Sequence, residues 1–444
     1  MTVAEVADAP IAQRPSRRLR WRFLRNPLVL LVLLVVVSTG ARGAWLSVPK
    51  TLAGDEVFYV NAARHIASFP SGADDSYALE PAALDPNFEH PPLAKMIIAG
   101  SMRLLGNNPV GWRLPSVVFG ALAVALMYWL ARTVGAGQWE SLGAAGLMAA
   151  DNMTMAYGRF ATLDIFVVVF VMLGVGLYLR KHPWWAGVVL GVGACTKLIG
   201  LSALGVLGVM ELLRRAQRRR GLRPDLRVPG ADRLVVGRLA ACALASVLTY
   251  LVVLGALDQA VTGFNDPVTH TRQMLNYAER TTFQLEAQSR GTWTQGTLAP
   301  VTRPWEWLLN RGSFGLYHKE AAPAGQPGSE RQLVKYEARI TPAIIWLALP
   351  ALLLAAVRAW ARADDVSNLA LAWFSAIFVL LVAVVLRDRV SYLYYVVILL
   401  PGIYLALARA FTRRHVPRLV SLAYIAAIVA SVVAMYPFRT WGGI

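Results

Sequence analysis

The sequence is poor in cysteine, poor in acids and poor in charge of either sign. Its two cysteines, Cys195 and Cys242, both sit inside apolar runs. They exclude a disulfide framework and a cysteine-based metal site, and they read as packing residues. Only 16% of the 444 residues are charged and 56% are hydrophobic, which excludes a soluble protein of this length. Acids number 26 against 44 lysines and arginines, a formal net charge of +18. That excess would suit nucleic acid, but the basic residues collect in short connectors between apolar runs, as the positive-inside rule expects, so no nucleic-acid partner is expected. There is no Walker or dinucleotide-binding glycine pattern, which argues against nucleotide chemistry. His65, His270 and His318 lack metal-ligand spacing, so no metal site is expected. No internal repeat is evident, and the only low-complexity tract is the arginine run near Arg218.

What the chain does have is long apolar segments. About 20 apolar residues span a bilayer as a helix. Candidate spans fall at 27–47, 112–133, 138–157, 162–180, 184–196, 198–213, 237–257, 341–358, 367–386, 391–410 and 417–436. The fold class expected is an all-α polytopic membrane protein with about eleven transmembrane helices and amphipathic juxtamembrane helices in the first outer loop. The basic stretch Arg14 to Arg25 with the first span reads as an uncleaved signal anchor, because no A-x-A site follows. Leu93 to Leu105 is too short to span and reads as interfacial or re-entrant. The run Trp184 to Leu213 would put Lys197 near mid-bilayer at about 3 kcal/mol. A break near Thr196-Lys197, eased by Gly191, Gly193 and Gly200, avoids that cost.

With this count the N-terminus is cytoplasmic and nearly every basic cluster lies inside. The organisation is a cytoplasmic basic tail (1–26), a transmembrane module (27–257) with a first outer loop at 48–111, an extracytoplasmic loop (258–340) containing Trp293, Trp305 and Trp307, and C-terminal transmembrane helices (341–444). Every unusual polar motif then lies on the outer face. Asp55-Glu56 opens an amphipathic helix, Glu56 to Ile66, with Val57, Val60 and Ile66 toward lipid. The pair reads either as a general base at the membrane surface or as an acidic helix start favoured by the helix dipole. Glu89-His90-Pro91-Pro92-Leu93-Ala94-Lys95 enters a helix through two prolines. It either merely starts that helix or brings His90 and Lys95 to an anionic group. Arg159 and Asp164 at a span boundary read as an ion pair or as phosphate or sugar binding. Lys197 inside an apolar stretch is functional by default. Arg387 and Arg389 lie outside, against the positive-inside trend, and suit a lipid phosphate. Ser391-Tyr392-Leu393-Tyr394-Tyr395 reads as an aromatic belt.

These motifs, in this order, resemble the protein O-mannosyltransferase family of polytopic, GT-C type glycosyltransferases that use polyprenyl-phosphate sugars. The resemblance covers about residues 50–405. It rests on Asp55-Glu56, His90-Pro-Pro-Leu-Ala-Lys95, Trp112-Arg113-Leu114-Pro115-Ser116, Arg159 to Asp164, Lys197-Leu-Ile-Gly200, Thr269-His270, Gln273-Met274 to Tyr277, Arg303-Pro304-Trp305 and Arg389-Val-Ser-Tyr392-Leu-Tyr394. Tyr395 stands where the family often has His. The 258–340 loop has no room for the accessory domain of eukaryotic members, as in bacterial ones. The resemblance implies an inverting transfer of mannose from a polyprenyl phosphate to Ser or Thr hydroxyls of exported proteins, outside the plasma membrane. Asp55 would be the base, with Glu56 beside it as the second catalytic acid. His90, Lys95, Arg113, Arg159, Asp164, Lys197 and Arg389 would bind donor phosphate and sugar, and Glu89 and Tyr392 the acceptor. No built-in cofactor is implied, and a divalent cation is left open. Partners implied are the lipid-linked donor, an exported protein or envelope acceptor, the bilayer and the secretion machinery. The rival readings are the same donor chemistry on a lipid or envelope glycan, and a non-catalytic scaffold or transporter.

Overall fold

The computed structural model describes residues 26–70, 72, 75, 77–223, 230–292, 300–319, 334–411 and 416–436. The basic tail through Arg25 and Trp293 lie outside the described residues. The first apolar run is helix α1, Pro27–Gly43, started by Asn26, whose side chain accepts from the Leu28 amide. Two shorter helices follow, α2 (Glu56–Ala67) and α3 (Leu93–Leu105), before the long α4 (Pro109–Thr133). Asn108 caps α4 by accepting from the amides of Val110 and Gly111. The segment 138–157, expected as one span, is two helices, α5 (Gln138–Ala150) and α6 (Asn152–Tyr157). Asp151 divides them. Its carboxylate caps α6 at the Met153 amide and also accepts from the Thr341 amide and the Tyr404 hydroxyl, which ties the break to two distant segments.

The break expected at Lys197 is present. Helices α7 (Asp164–Leu179) and α8 (Pro183–Ala194) precede it, and a 3-10 turn, Leu198–Leu201, leads into α9 (Ser202–Arg219). The glycines have another use than easing the break. A Cβ on Gly187 or Gly191 would lie 2.4 Å or 2.6 Å from the carbonyl oxygens of Cys242 or Ser246 on α10 (Ala231–Val261), so both let the helices touch backbone to backbone. Both cysteines are buried and unpaired.

Regular elements follow α10 among the described residues of the 258–340 segment. It forms α11 (Pro267–Arg280), α12 (Phe283–Arg290), a short turn of helix, α13 (Pro304–Trp307), and an antiparallel hairpin of β1 (Phe314–Lys319) and β2 (Val334–Ala338). Helices α14 (Pro342–Arg362), α15 (Asp365–Val385), α16 (Leu400–Phe411) and α17 (Arg418–Met435) follow, with a 3-10 turn, Leu393–Ile398, before α16. The main core runs through α4, α5, α7, α15 and α16. Helices fall on all the apolar segments expected. Among the described residues, five helices are long and apolar enough to cross a membrane, and four more apolar helices are shorter. Helix α2 differs from expectation in what its apolar face meets. Val60 is fully buried and Ile66 nearly so, because α2 packs on α3 and the two cover the bundle end together.

Candidate functional site

The site is built where α2 begins. Gly54 has φ +55°, and the Phe314 ring packs where its Cβ would be, so the turn into α2 needs glycine. Asp55 occupies the N-cap position, yet its side chain makes no capping hydrogen bond. The Asp55 carboxylate is therefore not engaged in capping the helix. Its carboxylate instead accepts from the Tyr394 hydroxyl and lies within electrostatic reach of Lys197, Asp164 and Arg290. Burial pushes its pKa up to about 6; Lys197 works against that rise and Asp164 adds to it.

Lys197 is the cation that the helix break delivers here. Its amine donates to Asp164 Oδ1 at 2.7 Å and lies 5.2 Å and 5.4 Å from the ring centres of Tyr394 and Tyr395. Tyr394 stacks between Tyr157, at 5.6 Å, and Tyr392, at 5.5 Å, and meets Phe314 edge-on. The expected aromatic belt is thus turned inward as the site's wall. The buried Tyr157 hydroxyl has no hydrogen-bond partner among the described residues. Tyr392 donates to Glu286, which also pairs with Arg290 at 2.8 Å. Sequence reasoning missed Glu286, Arg290, Tyr59 and Tyr157. Glu286 and Arg290 lie in no motif and are brought in by packing from a distant segment, whereas Tyr59 lies one turn after Asp55 on α2 and Tyr157 heads the stretch that ends at Asp164.

His90 stands 5.9 Å from the Tyr59 ring. Burial, then Lys197, Lys95 and Arg389, hold its imidazole well below the usual histidine range, so it is neutral at pH 7. Glu89 accepts from the Asn87 side chain at 2.5 Å, and burial raises its pKa. Arg389 donates from Nη1 to the carbonyls of Ala278 and Thr281, which pins the end of α15 to α11. Its backbone amide donates to the Val384 carbonyl at 3.1 Å.

Four expected site residues have other work. Glu56 is fully buried and accepts from Arg113 at 2.8 Å and 2.7 Å and from the amides of Ala53 and Ala161. Arg113 also donates to the carbonyls of Leu46, Pro49 and Thr51, so all five of its N–H groups are taken. No donor is left for a phosphate, and Glu56 has no lone pair to spare for an acceptor. Arg159 does not pair with Asp164; it donates to the carbonyls of Arg42, Ala44, Trp45 and Val48. Lys95 pairs with Asp85 at 2.6 Å and holds the backbone of Asn87 and His90. These four hold the backbone around Asp55 through buried ion pairs and hydrogen bonds to carbonyls and amides. No three His, Cys, Asp or Glu side chains converge as a metal cage among the described residues.

An acid of raised pKa, a buried Lys–Asp pair and a tyrosine wall at one end of a helical bundle suit group transfer at a membrane surface. Residues 89–220 match the family model described as dolichyl-phosphate-mannose-protein mannosyltransferase. A polyprenol-phosphate-mannose–protein mannosyltransferase of Mycobacterium tuberculosis is 26% identical over 79% of this chain and 77% of its own length. The protein of the same name from Corynebacterium glutamicum is 24% identical over 72% of this chain and 70% of its own. The fold resembles the Saccharomyces cerevisiae protein O-mannosyltransferase Pmt1-Pmt2 complex bound to the sugar donor, with a TM-score of 0.62 at 13% identity over 96% of this chain and 92% of that one. It also resembles ArnT from Cupriavidus metallidurans in the apo state, with a TM-score of 0.50 at 18% identity over 95% of this chain and 72% of that one. The fold is therefore shared with these two proteins, and five of the described helices are long and apolar enough to cross a membrane. In sequence the chain is similar to protein mannosyltransferases that use polyprenol-phosphate mannose, over about three quarters of its length.

Proposed function

We propose that the protein transfers mannose from a polyprenyl phosphate to Ser or Thr hydroxyls of exported proteins, at the outer face of the plasma membrane. The observation that carries the chemistry is Asp55. It is a buried carboxylate that caps no helix, is pushed up to about 6, and lies beside a cation and a tyrosine wall. A Ser or Thr hydroxyl is a poor nucleophile at neutral pH, and a positioned carboxylate that accepts its proton as oxygen attacks C1 lowers that barrier. The C1–O bond to phosphate breaks on the opposite face, which gives inversion. The departing lipid phosphate gains charge as it leaves. Lys197, Arg389 and Arg290 are the cations nearest to stabilise it. Asp164 holds the Lys197 amine in place, and neutral His90 is suited to hydrogen bond a sugar hydroxyl. Glu89 and Tyr392 are assigned to the acceptor, with Glu286 holding the Tyr392 hydroxyl.

The topology that fits this reading uses all eleven apolar segments as spans, with the N-terminus cytoplasmic. It is supported by the basic residues of the 214–223 and 358–362 connectors, which the positive-inside rule puts in the cytoplasm. The acceptor separates the principal reading from its rival, transfer to a lipid or envelope glycan. Mass spectrometry of envelope glycoproteins and glycolipids with and without the gene decides between them. Loss of hexose from exported proteins is expected; loss from glycolipids alone overturns the protein acceptor.

A further inference from the structure

The segment 85–90 carries Glu89 and His90 into the site, and its backbone is held by buried charges. Lys95 donates to the carbonyls of Asn87 and His90, and its countercharge is Asp85 at 2.6 Å. The carbonyl between them, that of Phe88, is taken by His270 Nε2 at 3.2 Å. His270 lies on α11, fully buried, and its Nδ1 is 2.7 Å from Asp258 Oδ1 near the end of α10. Phe264 stacks on the imidazole at 4.2 Å. The Asp85 amide in turn donates to the Val261 carbonyl at 2.5 Å.

A carbonyl oxygen can only accept, and an ionised carboxylate can only accept. For both contacts to be hydrogen bonds, the His270–Asp258 pair must hold one proton more than a neutral imidazole beside a carboxylate. The four side chains Lys95, Asp85, His270 and Asp258 are then electrically balanced, as buried charges need to be. Glu89 is the nearest further acid on the segment and is tied to Asn87.

We propose that Asp258 and His270 are positioning residues: through the Phe88 carbonyl, the protonated pair fixes the segment that presents His90 and Glu89 to the donor. This rests on the proposed mannosyl transfer and adds the loop after α10 to its working parts. Loss of a charge-assisted hydrogen bond of about 1.5–3 kcal/mol corresponds to roughly tenfold or more in occupancy of the correct segment position.

Two variants test it in the full-length purified protein, His270→Gln and Asp258→Asn, the second removing only charge at nearly constant shape. Hydrogen exchange by mass spectrometry is read over 84–93, with the α2 peptide 56–67 as control. Steady-state transfer is read with polyprenyl-phosphate mannose and a Ser/Thr peptide. The expected result is exchange about tenfold faster in 84–93 alone, and a donor KM raised about tenfold with the peptide KM unchanged. Partial unfolding would instead lower the apparent kcat and leave both KM values in place. Unchanged exchange in 84–93 in a folded variant overturns the anchoring, whether or not the protein transfers mannose. Faster exchange with an unchanged donor KM overturns the positioning role. A wild type that transfers no mannose overturns the functional reading, and exchange then decides the anchoring by itself.

Discussion

Glu56→Gln is expected to damage the fold and spare the chemistry, although Glu56 stands next to the proposed base. The carboxylate accepts four hydrogen bonds: two from Arg113 and two from the amides of Ala53 and Ala161. A glutamine has one acceptor oxygen. Its amide nitrogen would point N–H at N–H, either toward Ala53 and Arg113 Nη2 or toward Ala161 and Arg113 Nε. Two buried donors lose their partner, and the fully buried Arg113 guanidinium loses its countercharge. Breaking a buried pair from one side costs about 3–5 kcal/mol. At roughly 2 cal/mol/K of unfolding entropy per residue, cooperative loss of the whole chain gives a fall in midpoint on the order of 3–5 °C. The assay is thermal stability by size-exclusion fluorescence in detergent, with transfer rates normalised to the folded fraction. The reasoning predicts a lowered midpoint with the normalised kcat within about tenfold of wild type. A variant with an unchanged midpoint and a kcat lowered about a thousandfold would place Glu56 in the chemistry and refute the clamp.

Other outcomes follow from the same geometry. The kcat/KM should rise with pH through an inflection near 6, because the active form of Asp55 is the carboxylate and burial raises its pKa to about 6; a flat profile from pH 5 to 8 would remove Asp55 as the titrating base. Tyr394→Phe deletes the hydroxyl that favours that carboxylate, so the inflection should move to higher pH; a downward move contradicts the assignment. Gly191→Leu should cost about 2 kcal/mol or more or prevent folding, since its Cβ alone would sit 2.6 Å from the Ser246 carbonyl; wild-type thermal stability would deny the close α8–α10 contact. With both native cysteines buried, a single cysteine at exposed Ser289 should label from outside intact cells, and one at exposed Ala216 only after permeabilisation; the reverse pattern inverts the proposed topology.

The helical scaffold was legible because its signals are long and local. Apolar run length marked the spans, and the cost of burying Lys197 marked the break before the 3-10 turn. Asp151 was missed as a break because its partners, Thr341 and Tyr404, lie far away in the sequence. The site was legible in part. Asp55, Asp164, Lys197 and His90 stood out as charge at the ends of apolar segments, and they do converge. Arg113, Arg159 and Lys95 stood out for the same reason, yet they bind backbone carbonyls and buried acids. A sequence shows that a cation is costly at a bilayer edge. It does not show whether a ligand or the chain's own carbonyls meet that cost. The lipid-facing assignment of Val60 and Ile66 failed because an amphipathic helix can bury its apolar face on a neighbour, here α3, as readily as on lipid.

The most direct test is transfer of labelled mannose from polyprenyl-phosphate mannose to a Ser/Thr peptide, comparing purified wild type with Asp55→Asn. The account predicts a peptide mannosylated with inversion at C1 by the wild type. It predicts a rate lowered about a thousandfold by the variant, with donor affinity and thermal midpoint retained. Transfer at the wild-type rate by Asp55→Asn would contradict it.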